Sequence, residues 1–284
     1  MRFAVFGNPI AHSLSPLIHE HFASQVGLNL TYERILVDRP FATMVTDFFE
    51  AGGNGCNVTV PCKLEAFALA TRLSDNAQAA GAVNTLKRDD DGSISGFNTD
   101  GPGLVRDLQR LHLLKDKARV LILGAGGAAQ GIVRPLLEAG VAHITMVNRQ
   151  VTKAANIAAH FPSKVEAQSY QSLNESLAAK LSHDHQAVSF DLIINATSSS
   201  LLHVLPPIEA LIVQQAGAVY DLMYTPQGET IFTRFARDLG VGKTADGIGM
   251  LIAQAALSFE VWTGKRPDIA KTIAYLQAYL QERH

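Results

Sequence analysis

Residues 118–149 read ARVLILGAGGAAQGIVRPLLEAGVAHITMVNR, and this stretch decides the fold of the chain. The apolar run 120–123 has the length and the β-branched content of a buried parallel strand. A glycine-rich turn follows, then a helix predicted over 131–139 that Gly140 ends, then a second strand over 144–147. Strand, turn, helix and strand make a βαβ unit, so the predicted fold class is α/β with a Rossmann-type nucleotide domain.

The glycine-rich turn has the spacing of a dinucleotide-binding site. Gly124 permits the tight turn, Gly126 lets a pyrophosphate approach the backbone, and Ala129 keeps the helix close to the strand. Free N–H groups at the start of the helix would face the phosphates. Because the motif follows a strand and opens a helix, we predict a cofactor site rather than a glycine turn that binds nothing. The residues assigned to it are Gly124, Ala125, Gly126, Gly127 and Ala128.

The end of the second strand indicates which dinucleotide binds. NAD enzymes usually carry Asp or Glu at this position, where the carboxylate bonds the ribose 2′-hydroxyl. This chain has Asn148 and Arg149 there, with Lys153 one turn further on. Two cations without a carboxylate suit a 2′-phosphate, so we predict NADP(H) as the cofactor. The alternative is that Arg149 is a solvated surface charge.

The composition indicates a globular protein of a reducing compartment. The 284 residues suffice for about two domains, and 47% hydrophobic with 18% charged residues can fill two cores. A net charge of −2 gives no general attraction to nucleic acid or to an anionic membrane. Cys56 and Cys62 make neither a disulfide framework nor a metal-binding pair, and no apolar run could span a bilayer. The chain begins with a predicted strand instead of a signal peptide, so we expect a cytoplasmic protein without nucleic-acid or membrane partners.

The order of predicted elements divides the chain into two domains. Further Rossmann strands are predicted over 190–197 and 218–224, so the nucleotide domain should cover 103–240. Residues 1–102 form a second α/β domain. We expect two C-terminal helices, within 241–284, to cross back and complete that domain.

Lys63 and Asp100 are the candidates for acid–base chemistry. A strand predicted over 56–60 ends at Pro61, because proline cannot donate into a ladder. Lys63 therefore lies just past the C-terminal end of a strand, where α/β proteins collect reactive groups. Asp100 stands before a helix predicted over 104–113. Two structural alternatives stay open: Lys63 could be a surface lysine, and Asp100 could cap that helix.

Other polar residues stand where a ligand could reach them. Ser15 is suited to cap a helix predicted over 17–26, whereas Ser13 has no such duty and its hydroxyl is free for a ligand. Gln254 is one of few polar groups on a long apolar helix, so it needs a partner in the protein or in a ligand. Two further candidates are Asn84, in a strand predicted over 81–86, and Thr197, in the polar turn after the third Rossmann strand.

Two histidine clusters resemble metal sites only superficially. Neither His19-Glu20-His21 nor His183-Asp184-His185 has a helical His-x-x-x-His spacing with a third ligand in view. We interpret both as surface histidines and expect no metal. Residues 181–186 are predicted to form a solvated loop.

Several motifs, in the same order along the chain, resemble those of the shikimate dehydrogenase family. Residues 7–16, GNPIAHSLSP, look like the opening motif of that family, and residues 57–63, NVTVPCK, look like a second motif. The segments 81–85, 96–100 and 245–250 match three more. The glycine turn followed by Asn148-Arg149 is similar to the NADP type of this family.

The resemblance implies NADPH-dependent, reversible reduction of 3-dehydroshikimate to shikimate, a step of chorismate and aromatic amino-acid biosynthesis. It implies that Lys63 is the acid/base and that Asp100 is its partner across the reacting hydroxyl. It assigns the remaining substrate contacts to Ser13, Ser15, Thr59, Asn84, Tyr224 and Gln254. It places three further residues beside the cofactor, in addition to those derived above: Asp75, Leu222 and Gly247.

Other functions fit the same sequence features. A quinate/shikimate dehydrogenase of broader substrate and cofactor use is the nearest alternative. A non-catalytic NADP(H)-binding sensor could use the same fold, although the presence of both Lys63 and Asp100 argues against it. A homodimer is compatible with the sequence, which does not fix the oligomeric state.

Overall fold

The computed structural model describes residues 1–183 and 190–282, which form two compact units. The first unit consists of Met1–Leu104 with Leu251–Tyr279, and the second of Val105–Met250 with the end of the chain from Leu280. Each unit is built on a six-stranded sheet. The predicted α/β fold class is confirmed.

The sheet of the first unit is mixed. Its strands are β1 (Arg2–Gly7), β2 (Thr31–Leu36), β3 (Gly55–Val58), β4 (Arg72–Leu73), β5 (Thr85–Arg88) and β6 (Ile94–Phe97). Their order across the sheet is β2-β1-β3-β5-β6-β4. β1 pairs in parallel with β2 and β3, whereas β5 is antiparallel to β3 and β6. The carboxyl ends of β1 and β3 therefore lie side by side, and the segments with Ser13 and Lys63 leave the sheet there.

The sheet of the second unit is parallel throughout. Its strands are β7 (Arg119–Leu123), β8 (His143–Val147), β9 (Val165–Gln168), β10 (Leu192–Asn195), β11 (Val219–Asp221) and β12 (Thr244–Ala245). Their order is β12-β11-β10-β7-β8-β9. The chain order reverses between β7 and β10, which is where doubly wound sheets bind dinucleotides. The glycine turn follows β7 and thus stands at this point.

The helices connect the strands and cover the sheets. They are α1 (Ser15–Val26), α2 (Phe41–Glu50), α3 (Lys63–Leu69), α4 (Asp75–Ala80), α5 (Asp100–Arg110), α6 (Gly127–Glu138), α7 (Val151–Ala158), α8 (Tyr170–His183), α9 (Ala210–Gln214), α10 (Ile231–Asp238), α11 (Ile248–Thr263) and α12 (Ile269–Gln281). A short 3-10 turn spans Ser199–Leu202.

Side chains of β1 alternate between two cores, as the pleat of a strand requires. Ala4 and Phe6 pack into a cluster with residues of α2 and α3. Phe3 and Val5 point to the opposite face and pack in a cluster with Trp262 of α11. The rings of Phe3 and Trp262 stack with their centroids 4.7 Å apart. The C-terminal helix α11 therefore completes the core of the N-terminal unit.

Two predicted elements have different bounds in the structure. α6 begins at Gly127, not at residue 131, because the glycine-rich turn itself forms the first turn of the helix. β3 ends at Val58, so Val60 lies outside the strand predicted over 56–60, and its side chain is 65% exposed.

Residues 81–86 and the region after α7 also differ from expectation. Gly81 ends α4 with a positive φ of 58°, a left-handed conformation that favours glycine, so the strand starts only at Thr85. β9 and α8 follow α7, in a part of the chain where the sequence analysis assigned no strand or helix. The prediction of a loop over 181–186 is wrong for residues 181–183, which belong to α8. Residues 184–186 lie outside the described residues.

Every helix in residues 1–183 and 190–282 is too short or too polar to cross a membrane. The same residues contain no group of three or more His, Cys, Asp or Glu that could hold a metal ion. Cys56 and Cys62 are both buried free thiols. His183 ends α8, while Asp184 and His185 lie outside the described residues.

The interpretation of His19 as a surface residue is wrong. Its side chain is fully buried, and its ring stacks on Tyr32 with the centroids 4.4 Å apart. Neither ring nitrogen has a hydrogen-bond partner within the described part of the chain. Burial lowers the pKa of His19 to about 3, against a smaller opposing effect of the Asn57 side chain. The His19 ring instead packs among aromatic side chains, Phe22 and Trp262 as well as Tyr32.

We expect the buried His19 to make the first unit sensitive to acid. The unfolded chain binds a proton at His19 near pH 6.5, whereas the folded chain does so only near pH 3. Stability is therefore complete above about pH 6.5 and is lost as the pH falls towards 3. Between pH 7 and pH 4.5 this group alone should cost about 2 to 3 kcal/mol of unfolding free energy.

Urea unfolding of the wild-type chain and of His19→Phe at both pH values measures this effect. Phenylalanine keeps the stack on Tyr32 and does not titrate, so the variant should lose less stability on acidification. His160→Gln, which alters an exposed histidine, is the control and should behave like the wild type. Equal losses in wild type and His19→Phe would contradict the assignment.

Candidate active site

Lys63 and Asp100 form an ion pair in the first unit. Lys63 is the first residue of α3, and its Nζ donates to Asp100 Oδ2 at 2.6 Å. The two side chains are 29% and 18% exposed, so the pair is partly shielded but reachable from solvent. Asp100 begins α5, yet its carboxylate oxygens accept from Lys63 and Asn84. Lys63 does open α3, as its structural alternative has it, but its amine is paired with Asp100, and the Asp100 carboxylate bonds Lys63 and Asn84.

Asn84 connects the ion pair to Gln254. Its Nδ2 donates to Asp100 Oδ1 at 2.8 Å and also lies 3.4 Å from Gln254 Oε1. Its Oδ1 accepts from the backbone N–H of Thr99 at 3.0 Å, which fixes the orientation of the amide. Gln254 projects from α11, and α5 approaches it closely at Gly103, where an added Cβ would lie 2.7 Å from Gln254 Cβ. The structure therefore brings Lys63, Asp100, Asn84 and Gln254 together.

The serines after β1 form a pair of their own. Ser13 Oγ donates to Ser15 Oγ at 3.1 Å, and the Arg34 guanidinium donates to the carbonyl oxygen of Ser13 at 2.8 and 2.6 Å. Ser15 is not the predicted cap: it is the first residue of α1, and the capping residue Leu14 has no side-chain hydrogen bond. Both serines are half-buried. The Ser13 hydroxyl also accepts from the Ser15 backbone N–H at 3.3 Å, so the expectation that it has no partner in the protein is wrong.

Thr59 follows β3 and lies in the chain between the serine pair and Lys63. Its backbone N–H donates to Phe6 O at 2.9 Å, which continues the pairing of β3 with β1 beyond Val58. A Cβ on Gly7 would come within 2.4 Å of Thr59 Cγ2, so glycine at this position lets Thr59 pack against β1. The Thr59 side chain is half-buried.

Four buried residues below this site were not identified as site residues from the sequence. Tyr32, Asn57, Thr85 and Ser258 are all buried and hydrogen-bonded to one another or to Asn84. Burial raises the pKa of Tyr32 well above its usual value, and the nearby Ser15 hydroxyl opposes that rise. Only Ser258 had a signal, because it lies four residues after Gln254 and therefore on the same face of a helix.

The glycine turn of the second unit has room for a phosphate. Gly124 has a φ of +109°, and an added Cβ would lie 3.1 Å from Ala196 O and from Thr197 Cγ2. A Cβ at Gly126 or Gly127 would meet nothing within 4 Å. Gly126 precedes α6 and offers no side chain to the first N–H groups of that helix. The residues present thus fit a pyrophosphate at the start of α6.

Arg149 and Lys153 stand beside the turn, at the end of β8 and in α7. Both are exposed, and neither has a carboxylate partner among the residues that the structure describes. Asn148 is half-buried, and its Nδ2 donates to Gln150 O at 3.0 Å. Burial raises the pKa of Tyr170 to about 12, while the charge of nearby Arg149 opposes the rise. Both cations are therefore exposed to solvent, and Arg149 lies near a tyrosine, an arrangement that suits an anionic group.

Asp221, a buried carboxylate that the sequence analysis missed, orders the residues next to the glycine turn. Asp221 is fully buried and accepts from the hydroxyls of Ser200 and Thr230, both at 2.6 Å, and from Asn195 Nδ2 at 3.2 Å. Asn195 Oδ1 in turn accepts from Thr197 Oγ1 at 2.7 Å. Burial raises the pKa of Asp221, and the hydroxyl hydrogen bonds lower it in part. Thr197 is thereby fixed next to the glycine turn.

Leu222 and Gly247 meet at the end of β11. A Cβ on Gly247 would lie 2.2 Å from Leu222 O, and the Gly247 N–H donates to Met223 O at 2.9 Å. Tyr224 is half-buried, and burial together with the charge of Asp246 raises its pKa. Of the remaining predicted residues, Tyr224 belongs to the second unit, and Asp75 is exposed in the first turn of α4 in the first unit.

Known families match along most of this chain. The profile described as "Shikimate dehydrogenase substrate binding domain" covers residues 5–86, "Shikimate / quinate 5-dehydrogenase" covers 108–205, and "Shikimate 5'-dehydrogenase C-terminal domain" covers 247–274. The protein named "Shikimate dehydrogenase (NADP(+))" in Vibrio cholerae is 44% identical over 284 residues, which is 99% of this chain and 97% of the relative.

Solved structures agree with these matches. The Ael1 enzyme of Pseudomonas putida is 41% identical with a TM-score of 0.87, and the alignment covers 97% of each chain. Shikimate 5-dehydrogenase of Thermus thermophilus, in complex with NADP(H) and shikimate, is 32% identical with a TM-score of 0.83 over 99% of each chain. The resemblance inferred from motifs is confirmed: this chain belongs to the shikimate dehydrogenase family.

Proposed function

We propose that this chain catalyses the NADPH-dependent, reversible reduction of 3-dehydroshikimate to shikimate. The observation that carries the proposal is the Lys63–Asp100 pair, 2.6 Å apart and partly exposed, in a chain that is 44% identical to an NADP-dependent shikimate dehydrogenase. A sensor that only bound NADP(H) would have no use for a shielded ammonium–carboxylate pair beside polar side chains. The proposal therefore names an oxidoreductase that acts on a CH–OH group.

Lys63 would supply the proton of the reaction. NADPH, when bound, supplies the hydride that reaches the carbonyl carbon. The Lys63 ammonium donates a proton to the carbonyl oxygen, which becomes the hydroxyl of shikimate, and in the reverse direction the neutral amine takes that proton back. Asp100 holds the ammonium and accepts a hydrogen bond from the substrate hydroxyl. Ser13, Ser15, Thr59, Asn84, Tyr224 and Gln254 would bind the remaining hydroxyls and the carboxylate.

The cofactor would lie on the second unit. The room above Gly126 and Gly127 suits the pyrophosphate, and Arg149 with Lys153 suits the 2′-phosphate. We propose a substrate domain of residues 1–102 with 241–284 and an NADP domain of residues 103–240. The other cofactor contacts would come from Asp75, Gly124, Ala125, Ala128, Asn148, Thr197, Leu222 and Gly247.

A cytoplasmic location and a homodimer also remain proposals. The two free, buried thiols suit a reducing compartment. Light scattering on the purified chain measures the oligomeric state directly.

Absorbance of the reduced nicotinamide tests the proposed reaction. The purified chain is mixed with shikimate or quinate, each with NADP⁺ or NAD⁺. Rapid reduction with shikimate and NADP⁺ alone is the expected result. Comparable rates with quinate or NAD⁺ would instead indicate the broader quinate/shikimate dehydrogenase. No reduction in any mixture, with NADPH still bound, would leave the binding-only sensor.

Lys63→Ala should lower kcat by roughly two to four orders of magnitude, the usual loss for a positioned acid or base. NADPH affinity, measured by quenching of protein fluorescence, should stay close to that of the wild type, because Lys63 belongs to the first unit. Lys271→Ala, whose side chain is 74% exposed, is the matched control and should retain full turnover. Near-normal turnover of Lys63→Ala would remove this residue from the mechanism.

Arg149→Ala should raise the KM for NADP⁺ by roughly tenfold to hundredfold, because it removes charge-assisted hydrogen bonds to the 2′-phosphate. The KM for NAD⁺, which lacks that phosphate, should not change. Lys164→Ala changes another exposed cation of the second unit and serves as the control. If both cofactors lost affinity equally, Arg149 would not be the residue that selects NADP⁺.

A further inference from the structure

A continuous series of buried hydrogen bonds runs below the Lys63–Asp100 pair. It begins at Tyr32, whose hydroxyl donates to Asn57 Oδ1 at 2.7 Å. This bond fixes the orientation of the Asn57 amide, since the oxygen must face Tyr32. The Nδ2 atom of Asn57 therefore points away from Tyr32, towards the interior of the first unit.

Asn57 Nδ2 faces two hydroxyl groups. It lies 3.1 Å from Thr85 Oγ1 and 3.0 Å from Ser258 Oγ, and it can donate to both. The two hydroxyl oxygens are only 2.7 Å apart, so one donates to the other. Thr85 comes from β5 and Ser258 from α11, so this pair joins the sheet to the C-terminal helix.

Counting protons gives the direction of the remaining bonds. Thr85 Oγ1 lies 2.8 Å from Asn84 Oδ1, an atom that can only accept. A hydroxyl has one proton, so a Thr85 that donates to Asn84 must accept from Ser258. Asn84 Oδ1 then receives hydrogen bonds from Thr85 and from the Thr99 N–H, and the Thr99 hydroxyl lies 3.2 Å from the same oxygen and 2.9 Å from Asn84 Nδ2. Asn84 Nδ2 is thereby directed at Asp100 Oδ1, at 2.8 Å.

We propose that Thr85 and Ser258 are positioning residues for the reaction: they fix the Asn84 amide and, through it, the Asp100 carboxylate that holds Lys63. The proposal rests on the proposed function for its effect on turnover. Neither residue was assigned to substrate or cofactor by the sequence motifs. The helix α11 therefore contributes both Gln254, beside the ion pair, and Ser258, one turn further along and one layer deeper.

Burial makes the loss of either hydroxyl group costly. Thr85 and Ser258 are both 0% exposed, and Asn84 is 3% exposed. Water cannot replace a hydroxyl removed at such depth without new space, so Asn84 Oδ1 would lose the Thr85 hydrogen bond and would be held by Thr99 alone. An amide held by fewer bonds can rotate, and a rotated Asn84 would present its oxygen to the Asp100 carboxylate. The two negative ends would repel, and the carboxylate would move away from Lys63.

Isosteric substitutions test this inference. Thr85→Val and Ser258→Ala remove one hydroxyl each at nearly constant volume, and Thr85→Ser restores the hydroxyl with a different side chain. Thr272→Val is the matched control: Thr272 is equally buried in the first unit, and its hydroxyl bonds His21 and Gln25 instead. Melting temperatures of all four variants show how much structure each substitution costs.

Two readouts separate positioning from a structural role. The kcat of Thr85→Val and Ser258→Ala should fall roughly tenfold to hundredfold, as expected when a catalytic group moves by about 1 Å, with a smaller change in the KM for shikimate. Thr85→Ser should recover most of the kcat, and Thr272→Val should keep it. The second readout is the rate at which acetic anhydride modifies Lys63, measured by mass spectrometry relative to Lys271. It should rise in both hydroxyl-free variants, because the amine is no longer held by Asp100.

The outcomes distinguish this proposal from the proposed function. Faster modification of Lys63 in the variants supports positioning even if the wild type fails to oxidise shikimate, in which case only the proposed function is overturned. An active wild type, with variants that match Thr272→Val in both kcat and modification rate, overturns the positioning role and leaves the function standing. Ser258→Ala removes only an oxygen from a helix, so it keeps the test decisive if Thr85→Val fails to fold.

Discussion

Asp100 holds the Lys63 ammonium against one carboxylate oxygen because Asn84 satisfies the other. A partly buried ion pair repays the cost of desolvation only when its remaining lone pairs are hydrogen-bonded. Asn84 meets that requirement with Nδ2, at 2.8 Å from Asp100 Oδ1. The same amide can do so only if its oxygen faces the Thr99 N–H and the Thr85 hydroxyl. The chemistry at the surface of the first unit thus depends on polar groups inside it.

In the second unit a buried carboxylate orders the loops in a similar way. Asp221 receives hydrogen bonds from two hydroxyls, one amide and the Met223 N–H. These donors come from the last residue of β10 and from the loops after β10 and β11, so one side chain fixes the loops around the glycine turn. In both units a polar group at the carboxyl edge of a sheet orders the loops that follow. The rigid sheet positions the loops, and the loops present the functional side chains.

The local parts of the site could be predicted, and the long-range parts could not. The glycine turn was predictable because spacing within a few residues encodes a backbone geometry. The contact of Lys63 with Asp100 joins residues 37 apart and depends on the register of the sheet. For the same reason nothing near Asn57 indicated that its amide meets Thr85. His19 was interpreted as a surface residue from the His-Glu-His pattern of residues 19–21, whereas apolar residues precede it in the chain and its ring packs on Tyr32.

The first unit consists of two stretches of chain, and Val105–Met250 of the second unit separates them. During synthesis on the ribosome, β1 therefore emerges long before the Trp262 that stacks on Phe3. The second unit is nearly contiguous in the chain, so it can fold while the core of the first unit still lacks the side chains of α11. Gln254 and Ser258 arrive on the same late helix as Trp262. The site around Lys63 is thus assembled last, and a nascent chain released before α11 would carry its acid–base pair without the core that orders it.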